Sequence, residues 1–311
     1  MKIALENYLG SRPFLYGRDL LKRMGIKGHY VNEHDVTDFL GYEIKEIDPG
    51  QYGEYGDVIG EIFDDTCAVL LPQQMLILLA NNLSPQRERM TLFHESGHGL
   101  IPWHQASAFS LRGKDIDPTV HKSIEREAFH AGAEIMYPIR HFVEDSMSNP
   151  LAFNSVSHLA SRYTGSFEAT SIRYALTNRN IMAIVVVKEN DLNSQMAFYF
   201  NHNSNGDRYL FDMPPITRVK PKSTAPLRVQ YCSHSCLFPK FIKSGTEIEK
   251  NNIIYECWSQ KQRKQGEIPA SVFGSSDKFK YIAECFPANG KVFVLLSLPN
   301  RQSEFFKEVI I

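Results

Sequence analysis

Five consecutive residues of this chain, His94-Glu95-Ser96-Gly97-His98, have the types and the spacing of a metal-dependent hydrolase site. On an α-helix, residues four apart lie on one face, so both imidazoles can point at one metal ion. The glutamate between them lies beside the metal, where it can take a proton from a water molecule that the metal activates. We therefore predict the chemistry of a zinc peptidase, with His94 and His98 as metal ligands and Glu95 as general base.

The segment around this motif has the signals of a helix. Ser84 is a good N-cap, Pro85 suits the first helical position, and Pro102 marks the end. Histidine is scarce, with 11 residues in 311, so the motif would arise by chance in roughly a few per cent of such chains. The helical context makes a chance occurrence rarer and favours zinc binding.

A catalytic zinc ion takes three protein ligands and keeps one position open for water. Our candidate for the third ligand is Glu125, near the start of a second predicted helix and 27 residues past His98. Its spacing to Ala128 resembles the third-ligand segment of glutamate-liganded zinc peptidases. Glu127 is the nearest competitor, but it lies two residues further along and therefore on a different helical face.

His104 is a rival third ligand. It stands six residues past His98, which matches the ligand spacing of metzincins. That class needs a glycine three residues past the second histidine, because the chain turns sharply there. Ile101 occupies that position and Pro102 follows it, so we favour Glu125.

Two segments together resemble the ImmA/IrrE family of bacterial and phage metallopeptidases. They are residues 87–98, which read RERMTLFHESGH, and residues 125–138, which read EREAFHAGAEIMYP. Members show an Arg-x-x-Phe-x-x-x-His-Glu-x-x-His helix and then a Glu-x-x-Ala-Asn-x-Phe-Ala-Ala helix that ends in a proline. This chain departs at Met90, Phe129 and Ala131, so the packing around the ligands must differ. The resemblance covers about residues 10–140.

The resemblance implies His94, His98 and Glu125 as ligands of one catalytic Zn²⁺ ion, and Glu95 as the catalytic base. Mn²⁺ is an alternative working metal. The implied activity is that of an endopeptidase that cuts a helix-turn-helix transcriptional repressor once, which switches on stress, phage or mobile-element genes. Two other functions stay open. The chain could be a transcriptional regulator or partner-binding protein with a structural or vestigial zinc site, or it could be a general aminopeptidase.

The composition is that of an ordinary globular protein, 43% hydrophobic and 22% charged. A net charge of −1 gives no general attraction to nucleic acid or to an anionic membrane. No apolar run is long enough to cross a bilayer, and no signal-peptide-like apolar region follows Lys2. Five cysteines, an odd number, do not indicate a disulfide framework. We therefore expect a cytoplasmic protein with no membrane partner.

The predicted fold class is α+β, in three parts. Residues 1–148 should form a zincin-like metallopeptidase domain, mainly helical with a small sheet. Residues 149–179 read as a helix-turn-helix-like segment, with helices at 156–163 and 167–176. Residues 180–311 should form a C-terminal α+β domain. The family resemblance suggests that this domain is GAF-like, a sensor that binds a small molecule.

DNA binding by the helix-turn-helix-like segment is only weakly indicated. Arg162, Arg173 and Arg179 are the basic residues nearby, which is few for a surface that must neutralise phosphates. A helical hairpin that braces the peptidase domain is the favoured interpretation.

Smaller elements complete the prediction. In the first domain we expect helices at 14–26 and 36–40, strands at 42–47, 58–63 and 67–71, and a short helix or irregular link at 73–82. The hairpin of 58–63 and 67–71 is a candidate sheet edge that could hold an extended substrate by main-chain pairing; a core hairpin without a binding role is the alternative. In the last domain we expect strands at 181–187, 196–200, 209–211, 227–231, 253–257, 279–285 and 291–298.

Other metal-ligating or polar residues have weaker signals. Cys232, His234 and Cys236 could hold a second, structural metal with Cys257 or Cys285, but the spacing is not that of a zinc finger and core packing is favoured. One of the remaining histidines, or Tyr137, could stabilise an oxyanion. We otherwise expect these histidines to be packing or surface residues: His104, His121, His130 and His141.

Overall fold

The computed structural model describes residues 12–48, 67–104, 118–189, 226–239 and 242–298, and its architecture is mixed α+β, as predicted. The chain divides into two compact units. The first contains Met1–Asn149 and Ser155–Arg173, and the second contains Pro150–Asn154 and Tyr174–Ile311. Within the described ranges, no helix combines the length and the apolar character that a membrane span requires.

The first unit is mainly helical around a small sheet. Its strands are β1 Glu43–Ile47, β2 Ala68–Leu71 and β3 Leu76–Ala80. Its helices, of which the last two cross the boundary between the units, are α1 Arg12–Arg23, α2 Glu33–Leu40, α3 Pro85–Leu100, α4 Pro118–Met136, α5 Ile139–Met147, α6 Phe153–Arg162 and α7 Phe167–Thr177. The helices predicted at 14–26, 36–40, 156–163 and 167–176 and the strand predicted at 42–47 are therefore confirmed, with shifts of a few residues at their ends.

Glycines end the first two helices. Gly25 has a φ of 68° and Gly41 a φ of 83°. These are left-handed backbone conformations that residues other than glycine rarely adopt. The Gly41 amide donates to the carbonyls of Thr37 and Asp38, which satisfies two groups at the end of α2. The chain can then turn directly into β1.

The sheet of the first unit has the strand order β1-β3-β2. β1 runs parallel to β3, and β2 runs antiparallel to it. The expectation of a short helix or irregular link at 73–82 is wrong, because Leu76–Ala80 forms the central strand and is buried along its whole length. A strand that is covered on both faces shows no alternation of polar and apolar residues, and its leucines suit a helix equally well. The strand predicted at 58–63 lies outside the described residues.

The second unit contains an antiparallel sheet of order β6-β5-β4-β9-β8-β7 with a helix packed against β7, β8 and β9. Its elements are β4 Met182–Glu189, β5 Leu227–His234, β6 Glu247–Ile248, α8 Ile253–Gln260, β7 Lys264–Pro269, β8 Lys280–Ala288 and β9 Lys291–Ser297. Its core includes Val185 and Val294 from the sheet and Ile254 from α8. The predicted strands at 181–187, 227–231, 279–285 and 291–298 are confirmed.

The strand predicted at 253–257 is wrong, because these residues open helix α8. Asn252 caps it, since its side-chain oxygen accepts hydrogen bonds from the amides of Ile254 and Tyr255. The β-branched and aromatic residues of this segment favour a strand locally, but the cap and the burial of one helical face prevail. The strands predicted at 196–200 and 209–211 lie outside the described residues.

Candidate metal centre

Helix α3 carries the His-Glu-x-x-His motif and has the bounds that its sequence signals predict. Ser84 is the N-cap and Pro85 the first helical residue, although the Ser84 side chain makes no capping hydrogen bond. The Ser84 carbonyl instead accepts the amides of Arg87 and Glu88. Leu92 is fully buried and packs in one cluster with residues of β3. The motif helix therefore lies directly on the small sheet.

The other side of α3 packs closely against α4, because glycines remove the side chains between the helices. A Cβ atom at Gly97 would lie 2.5 Å from the carbonyl oxygen of Ala128 on α4. The reverse contact is similar, since a Cβ atom at Gly132 would lie 2.7 Å from the carbonyl oxygen of Phe93. Both distances are far below ordinary van der Waals contact, so only glycine allows this approach. The approach brings a side chain of α4 to the two histidines of α3.

That side chain is Glu125. Its Oε2 lies 3.1 Å from His94 Nε2 and its Oε1 lies 3.4 Å from His98 Nε2. The two Nε2 atoms are 3.2 Å apart. Tetrahedral zinc with bonds of about 2.0–2.1 Å separates its ligand atoms by roughly 3.3 Å. The three side chains therefore fit one zinc ion in distance as well as in donor type, and within the described ranges no other group of three such residues converges in this way.

The electrostatics of Glu125 suit a ligand that stays ionised. Burial alone would raise its pKa, but the hydrogen bonds and the positive potential of His94 and His98 hold that pKa well below its ordinary value. A carboxylate that remains charged at neutral pH can bind a cation without first losing a proton.

Glu95 lies between the two histidines in sequence and is buried, with only 7% of its surface exposed. The pKa of Glu95 is raised to about 7, chiefly by burial. Of the smaller contributions, His98 lowers this pKa, the Glu125 carboxylate raises it, and a backbone hydrogen bond from Leu70 lowers it. A carboxylate with a pKa near the working pH can both accept and return a proton. Glu95 is thus the group beside the three convergent side chains that suits general base chemistry.

The Leu70 amide comes from β2, an edge strand of the described sheet. The Ala80 amide donates to the Cys67 carbonyl. Because every second residue of an antiparallel pair is hydrogen-bonded to the neighbouring strand, this bond shows which residues of β2 hydrogen-bond to β3. All four residues of β2 lie opposite β3, but the main-chain groups of Val69 and Leu71 face β3, whereas those of Ala68 and Leu70 face away from it. The outer edge of β2 therefore lies next to Glu95. Sequence reasoning named the strand but gave no sign of the Leu70 contact.

The other predicted residues have different positions. His104 does not join the group of convergent ligand atoms; it is 3% exposed, with Nδ1 3.1 Å from His98 Nδ1. His130 stacks on Phe14 with ring centroids 4.9 Å apart. The Tyr137 hydroxyl lies 3.1 Å from the Thr170 hydroxyl within a buried helical contact. His141 is half-buried on α5, and the side chain of His121 lies outside the described residues.

The cysteines of the second unit do not assemble with His234. In the part of the chain that the structure describes, Cys232, His234 and Cys236 form no convergent group with Cys257 or Cys285. Burial raises the pKa of the Cys232 thiol to about 12 and that of Cys257 to about 11. Cys257 and Cys285 are buried among the core residues of the second unit, and Cys232 packs against that core, in keeping with a packing role.

Two of the three arginines of the helix-turn-helix-like segment, Arg162 and Arg173, are engaged within the protein, whereas Arg179 is exposed. Arg173 is 3% exposed and donates from Nη2 to Glu134 at 2.6 Å and to the Tyr137 carbonyl at 2.8 Å. Arg162 donates from Nε to Asp145 at 2.7 Å. A buried, paired guanidinium cannot reach a phosphate, so Arg173 serves the packing of α7 on α4.

Comparisons with known proteins show a likeness in structure but none in sequence. No protein-family model matches the sequence, and no curated protein matches it. Among solved structures, a Mycobacterium tuberculosis transcriptional regulator is similar, with a TM-score of 0.51 at 10% sequence identity over 94% of this chain and 89% of that chain. At this identity, the likeness shows that the two chains share a fold and nothing more.

Proposed function

We propose that this chain is a zinc-dependent endopeptidase of the ImmA/IrrE type, with a zincin-like site in its first unit. The observation that carries the proposal is the approach of His94 Nε2, His98 Nε2 and a Glu125 carboxylate oxygen to within 4.8 Å of one another. Glu95 lies beside them with a pKa near 7. Two imidazoles, one carboxylate and an adjacent acid–base group are the protein contribution to a catalytic zinc site.

The proposed reaction is peptide hydrolysis. A bound zinc ion would polarise the scissile carbonyl and lower the pKa of the attacking water toward ~7. Glu95 accepts the proton of that water at its carboxylate and then delivers it to the leaving amine. The backbone of Leu70 lowers the pKa of Glu95 and so favours its ionised form, and burial of the side chain keeps its proton from bulk solvent.

The outer edge of β2 is the proposed docking edge for substrate. Its Ala68 and Leu70 main-chain groups point away from β3, and Leu70 also contacts the general base. An extended peptide that pairs with this edge would bring its backbone past Glu95. The edge therefore selects an unfolded or extended segment of a protein substrate.

The proposed substrate is a helix-turn-helix transcriptional repressor, as the family resemblance implies. The similar Mycobacterium tuberculosis structure is named a transcriptional regulator, which is in keeping with a role in transcription. Cleavage of the repressor would switch on stress, phage or mobile-element genes. The cytoplasm is the compartment in which this substrate is found.

The test uses the zinc-loaded full chain and purified helix-turn-helix repressors from the same genome, beginning with any that is encoded near its gene. We expect one cut, detected by gel electrophoresis and located by mass spectrometry. The matched control is Glu95→Gln, which keeps the size of the side chain and removes the base. A parent chain that binds zinc but cleaves the repressor no faster than this variant would contradict the proposal.

A second candidate function is that of a transcriptional regulator or partner-binding protein with a structural or vestigial zinc site. The observation that favours it is the shared fold with a chain named as a transcriptional regulator. The burial of Arg173 and the Arg162–Asp145 ion pair count against DNA contact through the helix-turn-helix-like segment. A Glu95→Gln variant with full biological activity would favour this second function over peptidase activity.

The GAF-like sensor role of the C-terminal part is also a proposal. The support is an antiparallel sheet with a packed helix and a cavity of about 330 Å³ that is open to solvent, since Ile282 and Glu267 in its lining are exposed. Polar and apolar side chains line this cavity, among them Leu151, Glu267, Ile282, Glu284 and Leu295. Thermal unfolding of the full chain in the presence of a metabolite library tests the role, and a library without a stabilising compound would count against it.

A further inference from the structure

His98 has a second ring nitrogen that faces away from the proposed zinc position, and a buried histidine lies against it. His98 Nδ1 is 3.1 Å from His104 Nδ1, while His98 Nε2 faces His94 and Glu125. The other ring nitrogen of His104, Nε2, is 3.0 Å from Glu127 Oε2. These contacts form a continuous path from a proposed ligand through His104 to a carboxylate.

The proton positions along this path follow from the chemistry of imidazole. A neutral imidazole that binds a metal through Nε2 carries its proton on Nδ1. His98 therefore donates from Nδ1, and His104 must accept at Nδ1. A neutral His104 then carries its own proton on Nε2 and donates it to the Glu127 carboxylate. Each contact fixes the direction of the next, and no atom in the path has two conflicting roles.

The far end of the path is also held. The Trp103 indole N–H donates to the same Glu127 oxygen at 2.7 Å. The His104 side chain is 1% exposed, and Glu127 lies on α4 two residues after Glu125. Helix α4 therefore supplies the proposed ligand Glu125. It also supplies Glu127, the carboxylate that orients His104 behind His98. By contrast, the Nδ1 atom of His94 is buried without a hydrogen-bond partner in the described structure.

We propose that His104 and Glu127 are positioning residues that fix the ring of His98 with Nε2 free for zinc. The inference rests on the proposed zinc site and adds a specific support to it. Histidine ligands whose second nitrogen is hydrogen-bonded bind metal more tightly, because the ring orientation and tautomer are set and the ligand is more basic. His104 thus acts on the metal through His98 and does not bind it.

The first experiment reads the tautomers of the zinc-loaded full chain without any substitution. Proton–nitrogen NMR correlations of the imidazole rings should show His98 protonated at Nδ1 and His104 protonated at Nε2. A His104 ring that is protonated at Nδ1 would overturn the proposal, because two N–H groups would then face each other.

The second experiment separates the two contacts of His104 with a matched pair of substitutions. His104→Asn can place an amide oxygen near the position of Nδ1, so it keeps an acceptor for His98. His104→Gln can place an amide N–H near the position of Nε2, so it keeps the contact with Glu127 and loses that acceptor. The exposed His158 on α6 provides the control substitution, His158→Gln.

Zinc affinity is measured for each chain by competition with a chelator at one pH. We expect His104→Gln to bind zinc about 10–100-fold more weakly than the parent, and His104→Asn and His158→Gln to stay close to the parent. If His104 only filled space and satisfied Glu127, His104→Gln would be the milder change, and that result would overturn the proposal. A parent that binds no zinc, or whose affinity is unchanged by Glu125→Ala, would instead refute the proposed zinc site.

Discussion

Replacing Gly97 by alanine should separate the two helices that carry the proposed ligands. The added Cβ atom would lie 2.5 Å from the Ala128 carbonyl oxygen, 3.1 Å from its carbonyl carbon and 3.2 Å from its Cα atom. These are backbone atoms, so no side chain can rotate out of the way. Restoring ordinary contact requires a movement of roughly 0.9 Å. Glu125 lies one helical turn from Ala128 and would move with α4.

The size of the effect follows from two opposing contributions. Overpacking costs about 1–3 kcal/mol, whereas alanine favours a helix interior by about 1 kcal/mol over glycine. The net loss of stability is therefore small, but the displacement exceeds the ~0.2 Å tolerance of metal–ligand distances several times. Zinc can bind only when the two helices return to their original, now overpacked, separation. If this return costs about 1.4 kcal/mol, the zinc affinity falls about tenfold.

The assay combines zinc affinity, from chelator competition, with thermal unfolding of the zinc-free chain. Gly132→Ala makes the reciprocal change from α4, since its Cβ atom would lie 2.7 Å from the Phe93 carbonyl oxygen. Gly28→Ala is the control, because its Cβ atom would have no neighbour nearer than 4.0 Å. Parent-like zinc affinity in both Gly97→Ala and Gly132→Ala would refute the reasoning that close helix packing positions Glu125.

Three further predictions concern single side chains. Glu95→Gln should keep zinc and slow cleavage by about 10²–10⁴-fold, measured by chelator competition and by the rate of repressor cleavage; an unchanged rate would remove Glu95 as the base. Zinc at about 100 times its dissociation constant should stabilise the parent by about 2.7 kcal/mol, and Glu125→Ala should lose this effect in calorimetry; a retained shift would place the metal elsewhere. Burial and the positive charges of Arg126 and Arg173 lower the pKa of His130. His130 therefore contributes stability that is present above its ordinary pKa and is lost as the pH falls through the lowered one. His130→Phe should reduce the loss of unfolding free energy between about pH 7 and pH 5, measured by denaturant unfolding. An unchanged dependence of this free energy on pH would contradict a lowered pKa at His130.

The helix at the centre of the site could be predicted because its sequence signals are local. Ser84, Pro85 and Pro102 set the bounds of α3, and a four-residue spacing places His94 and His98 on one face whatever surrounds them. The small residues of α4, among them Ala128 and Gly132, likewise suit a close helix contact. Local rules sufficed here because tertiary packing agrees with them.

The errors arose where tertiary burial decides the structure. Leu76–Ala80 is a central strand because β1 and β2 pair with it on both sides, which its own leucine-rich sequence cannot reveal. Ile253–Gln260 is a helix because Asn252 caps it and one face is buried in the second unit. Asn252 is the residue of the sequence that indicates a helix start here. The β-branched residues that follow it favour a strand and so led to the wrong prediction.

His104 shows the limit of spacing as evidence. Its distance from His98 along the chain matches a third-ligand pattern, but the turn after Ile101 brings it to the back of His98. Ring-nitrogen geometry, and not sequence separation, distinguishes a metal ligand from a residue that orients one. No sequence rule applied to a single chain gives that geometry.

The proposed zinc site is tested most directly by locating the metal. Crystals of the zinc-loaded full chain, with anomalous diffraction at the zinc edge, report both the number of bound ions and their position. We expect one ion per chain, about 2.0–2.1 Å from His94 Nε2, His98 Nε2 and a Glu125 carboxylate oxygen. An ion bound elsewhere, or three side chains that bind none at saturating zinc, would contradict it.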